Sequence, residues 1–358
     1  MKRRDLIKGA GAGLLAGAFG SARAADLPAI RWRMASSFPK SLDTIFGNSE
    51  NFANRLSQLT DGKFQIRVFA AGEIVPGLEV LGSVQNGTVE CGHSASYYYV
   101  GKNKAFAFDT ALPFGLTARM QNAWMYQGGG LKLMRDLFKQ YNIVNFPGGN
   151  TGTQMGGWFR KEIKQLADLK GLKMRIPGIG GEVMAKLGAV PQTIAGGDIY
   201  PALERGAIDA TEFVGPYDDE KLGFHKVAKH YYYPAWWEGS AQLSFYANLK
   251  KWQELPPAYR AAFEAAAVEA NMNMMAEYDA RNPAALGRLV KEGVKLHPFP
   301  QDMMVAARKA AFALYDEEAA RNPAFKKIYT EWKKFRDNEI QWFRVAEASY
   351  ANSLYAQK

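Results

Sequence analysis

Two eleven-residue stretches follow one plan, and that plan limits the fold more than any other feature of the sequence. Leu81–Cys91 (LGSVQNGTVEC) and Tyr200–Ala210 (YPALERGAIDA) each read as a helix, a left-handed glycine that stops it, and a strand entering a core. Gly62 and Gly171 likewise each open a strand, followed ten residues on by Gly72-Glu73-Ile74 and Gly181-Glu182-Val183. Strand-like and helix-like segments alternate around these units, which predicts an α/β architecture in two similar lobes. A helix–glycine–strand unit is also common in α/β proteins at large, so the recurrence taken alone leaves an accidental likeness open. A period of more than 100 residues that occurs twice excludes a solenoid.

In the first half, Ile30–Met34 reads as a strand and Leu42–Leu59 as an amphipathic helix closed by Asp61-Gly62. Phe64–Phe69 alternates in polarity as a strand does, and Leu78–Gln85 reads as a helix before a short strand through Val89 and Cys91. From about Pro256 the pattern turns helical, with Ala-rich runs at Tyr259–Arg281 and Asp302–Arg321. Asn322-Pro323 breaks the second run, and a last helix extends from Phe325 toward Tyr355. Its apolar stripe (Ile328, Trp332, Phe335, Ile340, Trp342, Phe343, Val345) either packs on its own domain or serves a dimer interface. We therefore divide the chain into a leader at 1–24 and a first lobe at 25–150 joined by part of 241–281. A second lobe follows at 151–240, joined by part of 282–324, and then a C-terminal helix at 325–358 as a candidate dimerisation element.

The leader is expected to be absent from the mature protein. Lys2, Arg3, Arg4 and Lys8 precede an uncharged run of small and apolar residues at Gly9–Gly20, and Ala22-Arg23-Ala24 fits a signal-peptidase site. The apolar run is shorter than the roughly 20 residues that span a bilayer. Arg3-Arg4, with Leu6 and Lys8 behind, fits a twin-arginine export signal, although ordinary secretory signals also begin with basic residues. The expected destination is the periplasm. Cleavage removes a net +4 of the formal +10 and leaves +6, dispersed rather than clustered as in a nucleic-acid binder. Mild basicity suits an anionic ligand. The single cysteine, Cys91, excludes an internal disulfide, a Cys-rich metal site and an iron–sulfur cluster.

Chemistry-bearing groups concentrate between Asn150 and Gln242. Gln154, Arg175, Glu212 and Glu238 are embedded in apolar, aromatic or glycine-rich segments that read as strands or strand ends. Burying such groups is costly unless they are paired or bound to something, and α/β folds gather ligands at the carboxyl ends of strands. From residue types alone, Arg175 is either a carboxylate-binding group or a structural ion-pair partner. Glu212 or Glu238 could equally pair with Arg175 or Lys173. One of Tyr97, Tyr98 and Tyr99 can bring a hydroxyl from the first lobe, at least one other being ordinary packing, while Trp236 and Trp237 wall or support a pocket. His93, His225, His230 and His297 show no metal-ligand spacing, and Pro177–Gly181 lacks the dinucleotide-binding glycine pattern. No nucleophile elbow occurs. An enzyme is not expected.

Gly171–Pro177 (GLKMRIP), followed by Gly206–Glu212 (GAIDATE), resembles the extracytoplasmic solute receptors of tripartite ATP-independent periplasmic (TRAP) transporters. The likeness runs from Ser36-Ser37-Phe38-Pro39 to the helical tail. Glu212–Pro216 (EFVGP) and Tyr231–Glu238 (YYYPAWWE) are similar to the alpha-keto-acid-binding branch. The resemblance implies a two-lobed periplasmic binding protein, type II-like, with a hinge and long C-terminal helices. It would capture a small monocarboxylic 2-oxo acid, pyruvate-like, together with one cation and no organic cofactor. Gln154, Arg175, Phe213 and Glu238 are implied to contact the acid, with Arg175 clamping its carboxylate through two parallel bonds. Gln154, Glu212, the Phe213 carbonyl and Glu238 are implied to hold the cation, Na⁺ ahead of Ca²⁺. Integral-membrane permease subunits would receive the cargo, nucleic acid is no partner, and a homodimer through the C-terminal helix is compatible with the pattern. A receptor for a 2-hydroxy acid such as lactate with Ca²⁺, a twin-arginine-exported enzyme and a partner of a sensor kinase are the other readings. One position departs from the family pattern: Phe213 stands where tryptophan is favoured, which spares a backbone ligand but alters the size of the pocket wall.

Overall fold

The computed structural model describes residues 27–356, so the expected leader lies outside the described residues. Its strands are β1 (Ile30–Ser36), β2 (Phe64–Phe69), β3 (Cys91–Ser94), β4 (Ile143–Asn150), β5 (Trp158–Phe159), β6 (Lys173–Arg175), β7 (Val190–Gln192), β8 (Ala210–Thr211), β9 (His230–Tyr233), β10 (Gln242–Asn248) and β11 (Lys295–Pro298). They form two mixed sheets, ordered β2-β1-β3-β10-β4 and β11-β9-β5-β8-β6-β7. In the first, β1 is parallel to β2 and β3, and β10 runs antiparallel to β3 and β4. In the second, β6 is parallel to β7 and β8, β5 runs antiparallel to β8 and β9, and β11 joins β9 in parallel. The runs β2-β1-β3-β10-β4 and β7-β6-β8-β5-β9 therefore have the same pattern of directions. The fold is two-lobed α/β.

The recurrence at Leu81–Cys91 and Tyr200–Ala210 belongs to this shared topology. Gly87 (φ +75°) and Gly206 (φ +73°) stop two six-residue helices, Val80–Gln85 and Ile199–Glu204, ahead of β3 and β8. Those strands hold the same place in their sheets. The match of Gly62 with Gly171 does not survive. Gly62 precedes β2, whereas Gly171 precedes β6, whose counterpart is β1. Gly72 lies in a turn, and Gly181 lies inside the helix Gly178–Lys186. Gly62 and Gly171 share only the left-handed turn that starts a strand.

Most other elements fall where the sequence predicts, with shifted ends. The strand at Phe64–Phe69 matches, β1 extends to Ser36, the first long helix starts at Ile45 rather than Leu42, and β3 begins at Cys91. The run expected to stop at Arg281 is a 35-residue helix, Pro257–Lys291, that passes straight through Pro283. Proline there removes one amide donor, but the helix is held from outside by both lobes. Asn282 Oδ1 accepts from Tyr217 N (3.0 Å) of the second lobe, and Arg281 Nη1 donates to Asp43 Oδ2 (3.2 Å) of the first. Asn322-Pro323 does break the chain: Asn322 Oδ1 accepts from Phe325 N (3.1 Å), which caps Pro323–Phe343. A π-turn at Arg344–Ala348 then leads into Ser349–Tyr355.

Trp32, Phe52, Phe64, Phe245 and Phe263 build one core between the first sheet and the helices Ile45–Leu59 and Pro257–Lys291. A larger core runs without a break from Leu243 and Tyr246 of β10 to Trp158, Met174 and Tyr231 of the second sheet. The lobes are therefore closed on each other. Two segments, 151–157 and 234–241, carry the chain from one sheet to the other and back. They are tied together, since Thr151 N donates to Ala241 O (3.0 Å) and Ala241 N donates to Thr151 Oγ (2.9 Å). Among the described residues, no helix is long and apolar enough to cross a membrane. Cys91 is a buried free thiol.

Candidate functional site

Arg175, Glu212, Gln154 and Glu238 reach one place by different routes. Arg175 ends β6 and Glu212 follows β8 directly, both at the carboxyl ends of neighbouring parallel strands. Gln154 and Glu238 do not lie on strands as expected; they sit on the two crossings, where the backbone has left one sheet and not yet joined the other. Tyr97 and Tyr98 come from the first lobe on the short 3-10 turn Ser96–Tyr99.

All four groups are enclosed: Arg175 is 0% exposed, Glu212 1%, Glu238 2% and Gln154 4%. Arg175 Nη1 donates to a Glu212 carboxylate oxygen and to the Glu212 carbonyl (3.0 Å), and Nε donates to Ile194 O (3.1 Å). Its Nη2 donates across the cleft to the Tyr98 hydroxyl (3.4 Å), and the guanidinium lies 5.6 Å from the centre of the Phe213 ring. The ion pair that the residue types left open is thus formed by Arg175 and Glu212. Burial pushes the Arg175 pKa down, but the Glu212 charge and the Tyr98 and Tyr97 phenols outweigh it, so the guanidinium remains charged. Burial raises the Glu212 carboxyl against the pull of Arg175. It raises Glu238 well above the ordinary range, and the Glu212 charge adds to the effect.

The second cluster of contacts is all oxygen. With its amide nitrogen turned inward, Gln154 donates to Glu238 Oε1 (2.8 Å) and Phe213 O (3.2 Å), and its oxygen accepts from Thr151 Oγ (2.9 Å). With the amide oxygen inward, three acceptors face one another, an arrangement that a bound cation or a proton on Glu238 makes favourable. Glu212 Oε2 and Glu238 Oε2 are buried beside them without a hydrogen-bond partner. Among the described residues no three His, Cys, Asp or Glu side chains gather where they could hold a metal ion. A cation here would rest on two carboxylates and two neutral oxygens, a hard donor set that suits Na⁺ or Ca²⁺ better than zinc or iron. The donors fit such an ion.

Around these groups lie two small adjoining cavities. One, with room for little more than a water, is bounded by Ile176, Pro177, Trp237 and Tyr97 with Glu212 and Glu238. The other, equally tight, is bounded by Phe38, Ile45, Leu243 and Val214 with Gln154 and Tyr98. Trp237 walls the site, whereas Trp236 stacks behind it on Phe114 (5.4 Å between ring centres). Tyr99 is the packing member of its trio: its hydroxyl meets Ser94 Oγ (2.8 Å) and accepts from Leu81 N (3.2 Å). Where the lobes touch, Gly178 (φ +66°) faces Tyr97, and a Cβ there would stand 3.0 Å from the ring.

Residues 35–322 match the family of bacterial extracellular solute-binding proteins, family 7. The chain belongs to that family. It is a solute-binding protein of the TRAP type, and all five residues singled out as ligands lie within the matched stretch. A monocarboxylate 2-oxoacid-binding periplasmic protein of Nostoc sp. (strain PCC 7120) is 55% identical over 328 residues, 92% of this chain and 90% of the relative. A TRAP transporter solute-binding protein from Bordetella bronchiseptica RB50 is 58% identical with a TM-score of 0.91, over 92% of this chain and 98% of that one. It was solved as a mixed-occupancy dimer, with copurified calcium and picolinate in one active site and the other apo. A TRAP periplasmic solute-binding protein from Pseudoalteromonas atlantica T6c, with sodium and pyruvate bound, is 42% identical with a TM-score of 0.88, over 90% of this chain and 98% of that one.

Some of the receptor's site was not foreseen. Thr151 orients the Gln154 amide, and Ile194 contributes a backbone carbonyl to Arg175, a role that no side-chain pattern signals. His230 and His297, unremarkable in the sequence, meet across β9 and β11 (Nδ1 to Nε2, 3.0 Å), away from the four ligand groups.

Proposed function

We propose that this receptor captures a small 2-oxo acid, pyruvate-like, together with one cation, performs no chemistry on it, and delivers it to a TRAP permease in the membrane. The observation that carries this reading is the convergence of Gln154, Glu212, Phe213 O and Glu238 beside a fully buried arginine at the junction of two closed lobes. The cation would sit among the four oxygens and take the acid's carboxylate and 2-oxo oxygens as its remaining ligands. Arg175 Nη2 and the Tyr98 hydroxyl face the same region and would hold the carboxylate from the other side. Sodium stands first, because Arg175 already balances one of the two glutamates. Calcium is the second reading: once the acid is counted, the site carries two negative charges, which a divalent ion cancels. The names of the relatives support the acid and leave both cations in play.

The division into lobes at 25–150 with part of 241–281, and 151–240 with part of 282–324, belongs to this reading, the two crossings and the long helix serving as the hinge. Export through a twin-arginine leader to the periplasm and pairing of two receptors through the C-terminal helix complete it.

Thermal unfolding of the metal-stripped mature protein tests the proposal. A ligand at 100 times its dissociation constant adds about 2.7 kcal/mol of stability. We expect a raised midpoint only when a 2-oxo acid and Na⁺ or Ca²⁺ are present together, with the more effective ion identifying the cation. A protein whose midpoint no 2-oxo acid moves, with either ion, is not this receptor.

A further inference from the structure

Asp219 lies on the short helix Pro216–Leu222 and is fully enclosed, yet it touches none of the proposed ligand groups. Its carboxylate instead meets each of the three segments that bring the cation oxygens together. Oδ2 accepts from Trp158 Nε1 (2.9 Å), on the strand that the Gln154 crossing enters. The same oxygen accepts from the Tyr231 hydroxyl (2.6 Å), on the strand that leads out into the Glu238 crossing. Oδ1 accepts from Val214 N (3.4 Å), directly after Phe213.

That last bond has the sharpest consequence. The Val214 N–H and the Phe213 C=O are opposite ends of one planar trans peptide. Holding the hydrogen toward Asp219 aims the oxygen the other way, where Phe213 O lies 3.2 Å from the Gln154 amide nitrogen when that nitrogen is turned inward. The following peptide is pinned as well, since Met155 N donates to Val214 O (3.2 Å). Trp158 and Tyr231, the two donors to Oδ2, stack with ring centres 3.9 Å apart, so one carboxylate keeps both in line.

We propose that Asp219 is the positioning residue of the cation site, setting the Phe213 carbonyl through the Val214 amide, while its bonds to Trp158 and Tyr231 hold the carboxylate itself in place. The assignment rests on the cation–acid reading given above.

The test uses the metal-stripped mature protein, titrated calorimetrically with CaCl₂ and with NaCl at fixed pyruvate. Unfolding midpoints and hydrogen–deuterium exchange at Val214 are read alongside. Trp158→Phe removes one of the two donors to Oδ2 and leaves Oδ1 for the Val214 amide. It should lower the midpoint while the cation Kd stays within about threefold of wild type. Asp219→Ala removes the acceptor itself; its cation Kd should rise about tenfold or more, the worth of one buried hydrogen bond, with faster exchange at Val214. An Asp219→Ala protein with the wild-type Kd, or a Trp158→Phe protein that loses as much as Asp219→Ala, overturns the assignment. Should Asp219→Ala not fold, Asp219→Asn decides: its amide oxygen can face Val214 or face Trp158 and Tyr231, and exchange at Val214 reads which. An unprotected Val214 amide with an unchanged Kd, or a protected one with a Kd raised about tenfold, is equally fatal. A wild type that shows no cation-dependent binding of pyruvate overturns the reading of the site itself, and so is told apart from a failure of Asp219 alone.

Discussion

Removing Arg175 strands a charge as well as deleting the contact proposed for the acid. Glu212 is 1% exposed and its carboxylate is held by Arg175 Nη1, so truncating the arginine leaves a buried anion without its partner. Such truncations cost about 3–5 kcal/mol. We expect Arg175→Ala to melt well below wild type and to bind no 2-oxo acid. The double variant Arg175→Ala/Glu212→Gln removes the stranded charge, and should regain much of the midpoint without regaining binding. Thermal unfolding and calorimetry on the same samples separate the two effects; a double variant that melts as low as the single one contradicts the pairing. At this scale the clustering of the four buried groups was legible, because an arginine, two glutamates and a glutamine among apolar and glycine neighbours must be satisfied by something. Their pairing was not. It follows from the register of β6 on β8, which sets Arg175 opposite Thr211 and so beside Glu212. Asp219 was invisible for a related reason: in PYDDEKL it reads as the charged, solvated face of a short helix, and only the packing shows it enclosed.

Among the elements, the C-terminal helix is where local pattern and environment part company. Phe325, Ile328 and Trp332 are buried and seat its first turns on the body of the receptor. Beyond them the same stripe runs into the open, with Trp342 60% exposed, Val345 68% and Tyr350 65%. Single exposed apolar residues are ordinary, but a continuous series on one helix end fits a second copy of the chain. We expect Val345→Glu/Tyr350→Lys to convert a dimer into a monomer in light scattering, with the affinity for the acid unchanged. A wild type that is already a monomer at tens of micromolar removes the proposal. Why Pro323 could be read and Pro283 could not belongs to the same scale. A proline after asparagine at a helix start obeys a local rule. The helix through Pro283 is kept by contacts from both lobes, which no window of sequence contains. The Gly62–Gly171 match failed likewise, since two strand-opening turns look alike whichever strand they open.

At the scale of the whole molecule, closure is held by more than the site. Asp43, in the first lobe ahead of the helix Ile45–Leu59, receives three donors at the mouth of the cleft: Lys221 Nζ on one oxygen, and Tyr217 Oη (3.0 Å) and Arg281 Nη1 (3.2 Å) on the other. Arg281 Nη1 also donates to Tyr217 Oη (2.6 Å), so the four groups form one network spanning the first lobe, the second-lobe helix and the long helix. Burial pushes the Asp43 carboxyl upward, but the bonds from Lys221 and Tyr217 outweigh it and hold it below the usual carboxylate range. The network is therefore intact above that range and is lost as pH falls through the depressed pKa. Exposed pairs contribute little singly, yet these act only when the lobes are together, so their worth should appear in release rather than in folding. We expect Asp43→Ala to raise the acid's dissociation rate about three- to tenfold at low ionic strength, while the midpoint of the ligand-free protein barely moves. The difference from wild type should shrink toward 1 M salt, where screening acts over about 3 Å. Stopped-flow displacement of a bound 2-oxo acid across a salt series measures it. A dissociation rate identical to wild type at low salt would mean that the site alone keeps the lobes shut, with Asp43 an ordinary surface ion pair.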